Sequence, residues 1–254
     1  MPTISVITAV YDGGHQYLPD AYASLRAQPM PDGWAWEWLI QEDGRTGRPR
    51  TVLPSDERIR YSTGARGGAG VARTVGLARA NGSLARALDA DDLLTEGALA
   101  RDIEELTRHP EAGWCISGCL DLLPDGRLIP GPYDPPPGPL PYAQLRAQYE
   151  AGMFPVVGTH LTARTDLVRA VGGWPALPAL EALALVLICA SVAPGRMVGT
   201  PGGVYRKHPA QSTAQPDYHR ADEFAALRAA ILTRLDALGN SQWRWSPQAE
   251  EGAK

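Results

Sequence analysis

The sequence is poor in several features that would each point to a class of function. Three cysteines, Cys115, Cys119 and Cys189, are too few for a disulfide framework, and no Cys/His spacing would hold zinc. A reducing cytoplasm is therefore expected. A formal net charge of -4 and a pI near 5.7 leave no broad basic field for nucleic acid or an anionic membrane surface. The N-terminus lacks a basic stretch followed by an apolar core and cleavage site, so no secretory leader is read there. The longest apolar run, Ala182 to Ala190, is too short to span a bilayer. Internal repeats are also missing. What remains is a chain of 254 residues, long enough to bury a real core.

What the chain does have is an alternation of strand-like and helix-like segments. Thr3 to Val10 is a β-rich run closed by the turn-prone Asp12-Gly13-Gly14, and Leu18, Ala21, Tyr22 and Leu25 recur at helical spacing. Strands are expected at Trp36–Gln41 and Arg58–Ser62, and a helix at Val71–Ala80. A further strand from Leu84 runs into Asp89-Ala90-Asp91-Asp92, and a helix follows over Thr95–Arg108. The second half is less regular. It offers strands at Trp114–Leu122, Val156–Thr162 and Val198–Lys207, and helices at Tyr142–Ala151, Leu180–Ala193 and Ala221–Leu238. The helix from Leu180 is apolar nearly all round, as a helix buried in the middle of a fold is. Such alternation predicts a parallel sheet with helices on both faces, and ligands in such sheets collect beyond the carboxyl ends of the strands. Both acidic turns, Glu42-Asp43 and Asp89 to Asp92, fall on that edge.

If the Leu84 strand stays extended, Asp89 and Asp91 point to one side, with only the small Ala90 between them. Paired carboxylates repel unless a cation or hydrogen-bond donors offset them. A hard divalent ion takes one or two such oxygens and completes its shell with a substrate phosphate. Taken alone, Asp89 to Asp92 reads first as a polar turn that caps the next helix.

In order along the chain, Ile4 to Tyr11, Glu42-Asp43-Gly44, Gly67 to Gly76, Leu88 to Asp92, Gly172-Gly173-Trp174 and Tyr205 to Pro209 resemble the family 2 glycosyltransferases. These are inverting enzymes with the GT-A fold, and the resemblance covers roughly residues 3–209. It implies an α/β fold with a Rossmann-like, mostly parallel sheet flanked by helices and a smaller mixed region on the acceptor side. A single domain over 1–240 is expected, 1–110 binding nucleotide and 111–240 binding acceptor, with a loose tail over 241–254.

The resemblance also implies roles for residues. Val10 to Asp12 would line the base and ribose pocket. Asp43 would read the base; an acceptor-only carboxylate suits the N–H of uracil, thymine or guanine. Arg73 would lie near base and phosphates, with Thr74 standing where the family usually has asparagine. Asp89, beside Ala90, would bind ribose hydroxyls. Asp91, with His208, would hold Mn²⁺ or Mg²⁺ against the diphosphate of a nucleotide-sugar donor. Asp92 is expected to cap the following helix, and Arg206 and Lys207 to add positive charge.

The family's catalytic base is the second member of an acidic pair, and here that segment reads Leu180-Glu181-Ala182. Glu181 becomes the candidate base, because burial in an apolar helix favours a protonatable carboxyl. His160 and Asp166 are the other candidates. A chain that binds nucleotide sugar without transferring it, or activates another transferase, is the alternative. A nucleotidyltransferase ranks third, since Asp12-Gly13-Gly14 is too short for a phosphate loop. The acceptor and oligomeric state are not legible.

Overall fold

The structure is a computed structural model, and it describes residues 1–132, 134–215 and 221–247. Alternation in the first strand shows how the layers form. In β1 (Thr3–Val10), Ile4 and Val6 join one apolar cluster and Ile7 the other, on opposite faces of the sheet. Leu18, Ala21 and Leu25 of α1 (Leu18–Arg26) cover the first face. The chain continues through β2 (Ala35–Glu42), a single turn α2 (Arg48–Thr51), β3 (Ile59–Thr63), α3 (Ala69–Leu77) and β4 (Leu84–Ala87). β3, β2, β1 and β4 pair in parallel, so their carboxyl ends share one edge as expected.

After the aspartates come β5 (Leu93–Leu94) and α4 (Ala98–Arg108), whose Leu99, Ile103 and Leu106 also pack on the α1 face. The second half adds β6 (Trp114–Leu122), β7 (Leu128–Pro130), β8 (Gly138–Pro139), α5 (Tyr142–Glu150), β9 (Leu161–Arg164), α6 (Thr165–Ala170), α7 (Glu181–Val192), β10 (Gly195–Arg206) and α8 (Ala221–Asn240). The described sheet runs β3-β2-β1-β4-β9-β6-β10-β5, with β7 on β6 and β8 on β10. It is parallel in the first half and mixed beyond β4, where β9 enters antiparallel. α7 is buried along its length from Ala182 to Val192, with α5, α6 and α8 around it.

Several expectations need correction. β4 ends at Ala87, not at the aspartates. Leu88 N–H still bonds to Ile7 C=O, and then the chain turns, Asp92 N–H bonding to Asp89 C=O. Asp92 caps no helix: α4 starts only after Gly97, at φ 70°, and Asp92 Oδ1 accepts the backbone N–H of Arg206 on β10. The strand expected from Val156 begins at Leu161. Before it, Gly158–His160 form a 3₁₀ turn, and Gly158 lies on the first turn of α7, where a Cβ would come within 2.5 Å of Leu183 N.

The tail is not loose as far as Trp245. The Trp245 ring is buried in the α7 cluster, the residue's backbone N–H bonds to Val192 C=O, and its Nε1 donates to Asp166 Oδ2 at 3.0 Å. Residues 248–254 of the predicted tail lie outside those described. Within β4, Arg86 is fully buried and paired with Asp102 on α4, an ion pair that the apolar reading of this strand passes over.

Candidate active site

The parallel edge opens into a cleft of about 980 Å³. Val10, Asp43, Arg73, Asp89, Ala90, Asp91, Glu181 and His208 all line it, although they come from segments spread over most of the chain. Asp12 does not. Its carboxylate turns away to Arg48 Nη1 at 3.0 Å. Tyr11 takes its place in the cleft, packed so tightly on the next turn that a Cβ at Gly13 would lie 2.4 Å from the ring.

The two residues of the first acidic turn divide their work. Glu42 is buried and accepts hydrogen bonds from Thr46, Gly47 and Tyr61. These bonds outweigh burial and hold its carboxyl below the usual range. Asp43 faces the cleft. Its Oδ1 accepts the Gly67 and Gly68 N–H groups at 2.7 and 3.1 Å, and so fixes the glycine loop that starts α3. Gly68 sits at φ 87°, where a side chain would be strained.

Arg73 on α3 is 3% exposed and is spent on two carboxylates. Its Nη2 meets Asp89 Oδ1, and its Nη1 donates to Glu181 Oε1 at 2.7 Å. Burial alone would lower the guanidinium's proton affinity, but the two carboxylates reverse that and raise it. The contact with Glu181 is built in from both sides. α3 presents Gly70 to Pro175 and Glu181, so the helices approach without an intervening side chain. Leu180, just before Glu181, is held at φ 65°, an unusual conformation for a bulky residue and one that clusters at functional sites. Thr74 keeps the next motif in register: its Oγ1 donates to Trp174 C=O at 2.9 Å, against Gly173 at φ 75°.

Asp91 Oδ2 lies 2.9 Å from His208 Nε2. Burial pushes the Asp91 carboxyl up and the Asp89 charge adds to this, while His208 opposes it. The imidazole is tilted over Tyr17 at 4.7 Å, and its Nδ1 is buried without a partner among the described residues. Arg206 anchors the turn from behind rather than lining the cleft, its Nε donating to Asp91 C=O at 2.9 Å. Asp92 is buried below, and burial together with Asp89 and Asp91 raises its carboxyl well above the ordinary range. Among the described residues, no group of three or more His, Cys, Asp or Glu side chains is arranged to hold a metal. Asp91 with His208 suits an ion that takes two protein ligands and completes its shell with phosphate oxygens.

The side of the cleft contributed by the second half of the chain is walled by Phe154, Val156, Val157, Leu180 and Leu183, with Ala182 presented to the space. The two other candidate bases lie elsewhere. His160 is 4% exposed, outside the lining, and pushed down to about 3 by burial and the Arg86 charge. Asp166 is tied to Trp245. Sequence reasoning passes over Asp121, a buried carboxylate in the cleft whose Oδ2 is 3.1 Å from Lys207 Nζ. The only signal for it is its place at the end of a strand.

Comparison with known proteins adds a frame to this geometry. Residues 5–120 match the family described as Glycosyl transferase family 2. The O-antigen biosynthesis protein RfbC of Myxococcus xanthus is 31% identical over 116 residues, 43% of this chain and 9% of that protein. The putative teichuronic acid biosynthesis glycosyltransferase TuaG of Bacillus subtilis (strain 168) is 34% identical over 130 residues, 49% of this chain and 50% of that one. The chain thus spans at most half the length of these curated relatives. Crystal structures of S. aureus TarS 1-349 align with TM-scores of 0.70 (with UDP-GlcNAc; 96% of this chain, 74% of that) and 0.67 (with UDP; 95% and 70%). At 17% identity, these share the fold.

Proposed function

We propose, from the match of residues 5–120 to glycosyl transferase family 2, that the chain moves a sugar, with inversion, from a nucleoside-diphosphate donor to an acceptor hydroxyl. The observation that carries this reading is the convergence of Asp43, Asp89, Asp91, His208 and Glu181 on one cleft.

Asp43 offers a carboxylate to the N–H edge of uracil, thymine or guanine, its Oδ2 being less engaged by the glycine loop than Oδ1. TarS, which shares the fold, binds UDP-GlcNAc and UDP, and a donor of that class suits Asp43. Asp89 takes ribose hydroxyls. Asp91 and His208 would hold Mn²⁺ or Mg²⁺, which would offset the charge of the departing diphosphate.

The acceptor hydroxyl gives its proton to Glu181 while its oxygen bonds to the anomeric carbon. The bond from that carbon to the diphosphate oxygen breaks, and its electron pair leaves with the nucleoside diphosphate. The acceptor itself is unidentified. We also read the protein as cytoplasmic, a reading supported by three free, buried thiols. Among the described residues, no helix is long and apolar enough to cross a membrane.

The test is release of nucleoside diphosphate by purified protein with Mn²⁺ and UDP-, TDP- and GDP-sugars, with and without acceptors. A second reading, a silent nucleotide-sugar binder or an activating partner, is favoured by one observation: a methyl group, Ala182, faces the cleft next to a Glu181 already held by Arg73. Donor binding without any release or transfer would select it.

A further inference from the structure

The Asp89–Arg73–Glu181 bridge joins the donor side of the cleft to the acceptor side through one buried guanidinium. We propose that Arg73 is a positioning residue that withholds Glu181 until a donor is bound. The inference rests on the transferase reading above and extends it to the order of events.

The side chain of Arg73 is 4% exposed, and its two terminal nitrogens are each committed to a carboxylate. Glu181, at 14% side-chain exposure, has Arg73 as its ion-pair partner. A carboxylate held this way is poorly placed to accept an acceptor's proton. A donor brings a diphosphate, with more negative charge than Glu181, into the same cleft, and brings hydroxyls to Asp89. A planar guanidinium pairs with phosphate as readily as with carboxylate. As Arg73 turns to the donor, the Glu181 carboxylate is released beside Leu180, Ala182 and Leu183, where it can meet the acceptor. The left-handed Leu180 and the bare approach at Gly70 keep its backbone fixed meanwhile.

The arrangement makes Glu181 and the donor rivals for Arg73. A receptor whose binding-competent form is only partly populated shows an affinity reduced by that fraction. Releasing Arg73 from Glu181 must therefore tighten donor binding. The experiment is calorimetric titration of the full chain with UDP, GDP and TDP in Mn²⁺, for wild type, Glu181→Gln, Arg73→Gln and the double variant. We expect Glu181→Gln to bind its nucleotide roughly fivefold tighter or more, Arg73→Gln to bind more weakly, and the gain from Glu181→Gln to vanish when Arg73 is absent. A residue that merely supports the fold would not make the neighbouring substitution tighten binding. If Arg73→Gln does not fold, Arg73→Lys serves, since a compact ammonium keeps the charge but lacks the planar fork whose two nitrogens meet the two carboxylates. Unchanged or weaker binding by Glu181→Gln overturns the proposal, as does a gain that persists without Arg73. No nucleotide binding by wild type overturns the transferase reading itself, and this inference with it.

Discussion

Asp91 and His208 are 117 residues apart in the sequence and 2.9 Å apart in space. The pair forms because β10 returns along the sheet to lie beside the turn after β4, and Arg206 then fastens that turn from both the Asp91 carbonyl and the Asp92 carboxylate. If this pair receives the divalent ion, Asp91→Ala removes the response of the protein to metal and nucleotide together. In wild type, UDP, TDP or GDP at a hundred times its Kd with Mn²⁺ adds about 2.7 kcal/mol, or roughly 5–10 °C in Tm. The variant is expected to show no Mn²⁺-dependent shift in thermal melting. A full shift in Asp91→Ala would move the metal elsewhere.

The approach of α3 to α7 gives a second prediction. A Cβ on Gly70 would lie 2.2 Å from Pro175 C=O and 3.2 Å from Glu181 Cβ. Alanine favours a helix over glycine by about 1 kcal/mol, but overpacking of this kind costs about 1–3 kcal/mol, and the partner here is backbone. Gly70→Ala is expected to be destabilising by roughly 1–2 kcal/mol in urea unfolding and to weaken nucleotide binding. A stabilised variant would mean that the two helices are free to part.

His160 bears on acid stability. Its folded-state value of about 3 lies below the ordinary 6.5, so between these limits the unfolded chain holds the extra proton. Stability is then fully present above pH 6.5 and is lost as pH falls toward 3, at about 1.4 kcal/mol per pH unit at the steepest. Replacing His160 with Met should flatten that part of the pH profile measured by chemical denaturation. An unchanged slope would show that the ring reaches water.

Trp245 provides a prediction outside the site. Truncating this buried ring to alanine empties space against Leu167 and Ala193, which flank the same pocket around Gly113, and leaves Asp166 without its indole donor. The loss expected is about 3–4 kcal/mol. A change below about 1 kcal/mol would restore the picture of a loose tail.

Much of the donor side was legible because its signals are local. Apolar, β-rich runs marked β1 and β2, glycine and aspartate marked the turns that follow them, and a parallel sheet brings such turns to one edge. Asp43, Asp89 and Asp91 could be placed from those cues. The second half of the chain was less legible because its geometry is made by distant contacts. Val156 has the composition of a strand, yet the Gly158 packing onto α7 keeps that segment out of the sheet. Asp12 follows the right strand, but its rotamer is decided by Arg48, 36 residues away. The resemblance points Arg73 toward the nucleotide, and nothing near it in sequence announces that Glu181, 108 residues on, holds one of its nitrogens. Arg86 was hidden for the same reason, since a buried arginine is intelligible only once Asp102 is beside it.

The seat of Gly158 on the first turn of α7 has a bearing on attempts to re-engineer this protein. With a Cβ there 2.5 Å from Leu183 N and 2.9 Å from Ala182 C=O, the acceptor-side loop and the helix bearing Glu181 have almost no clearance between them. A mutant library that randomises the whole loop would thus spend most of its members on clones that displace Glu181. Keeping Gly158 fixed and diversifying Phe154, Val156 and Val157 would vary the wall of the cleft while leaving that carboxylate where it is.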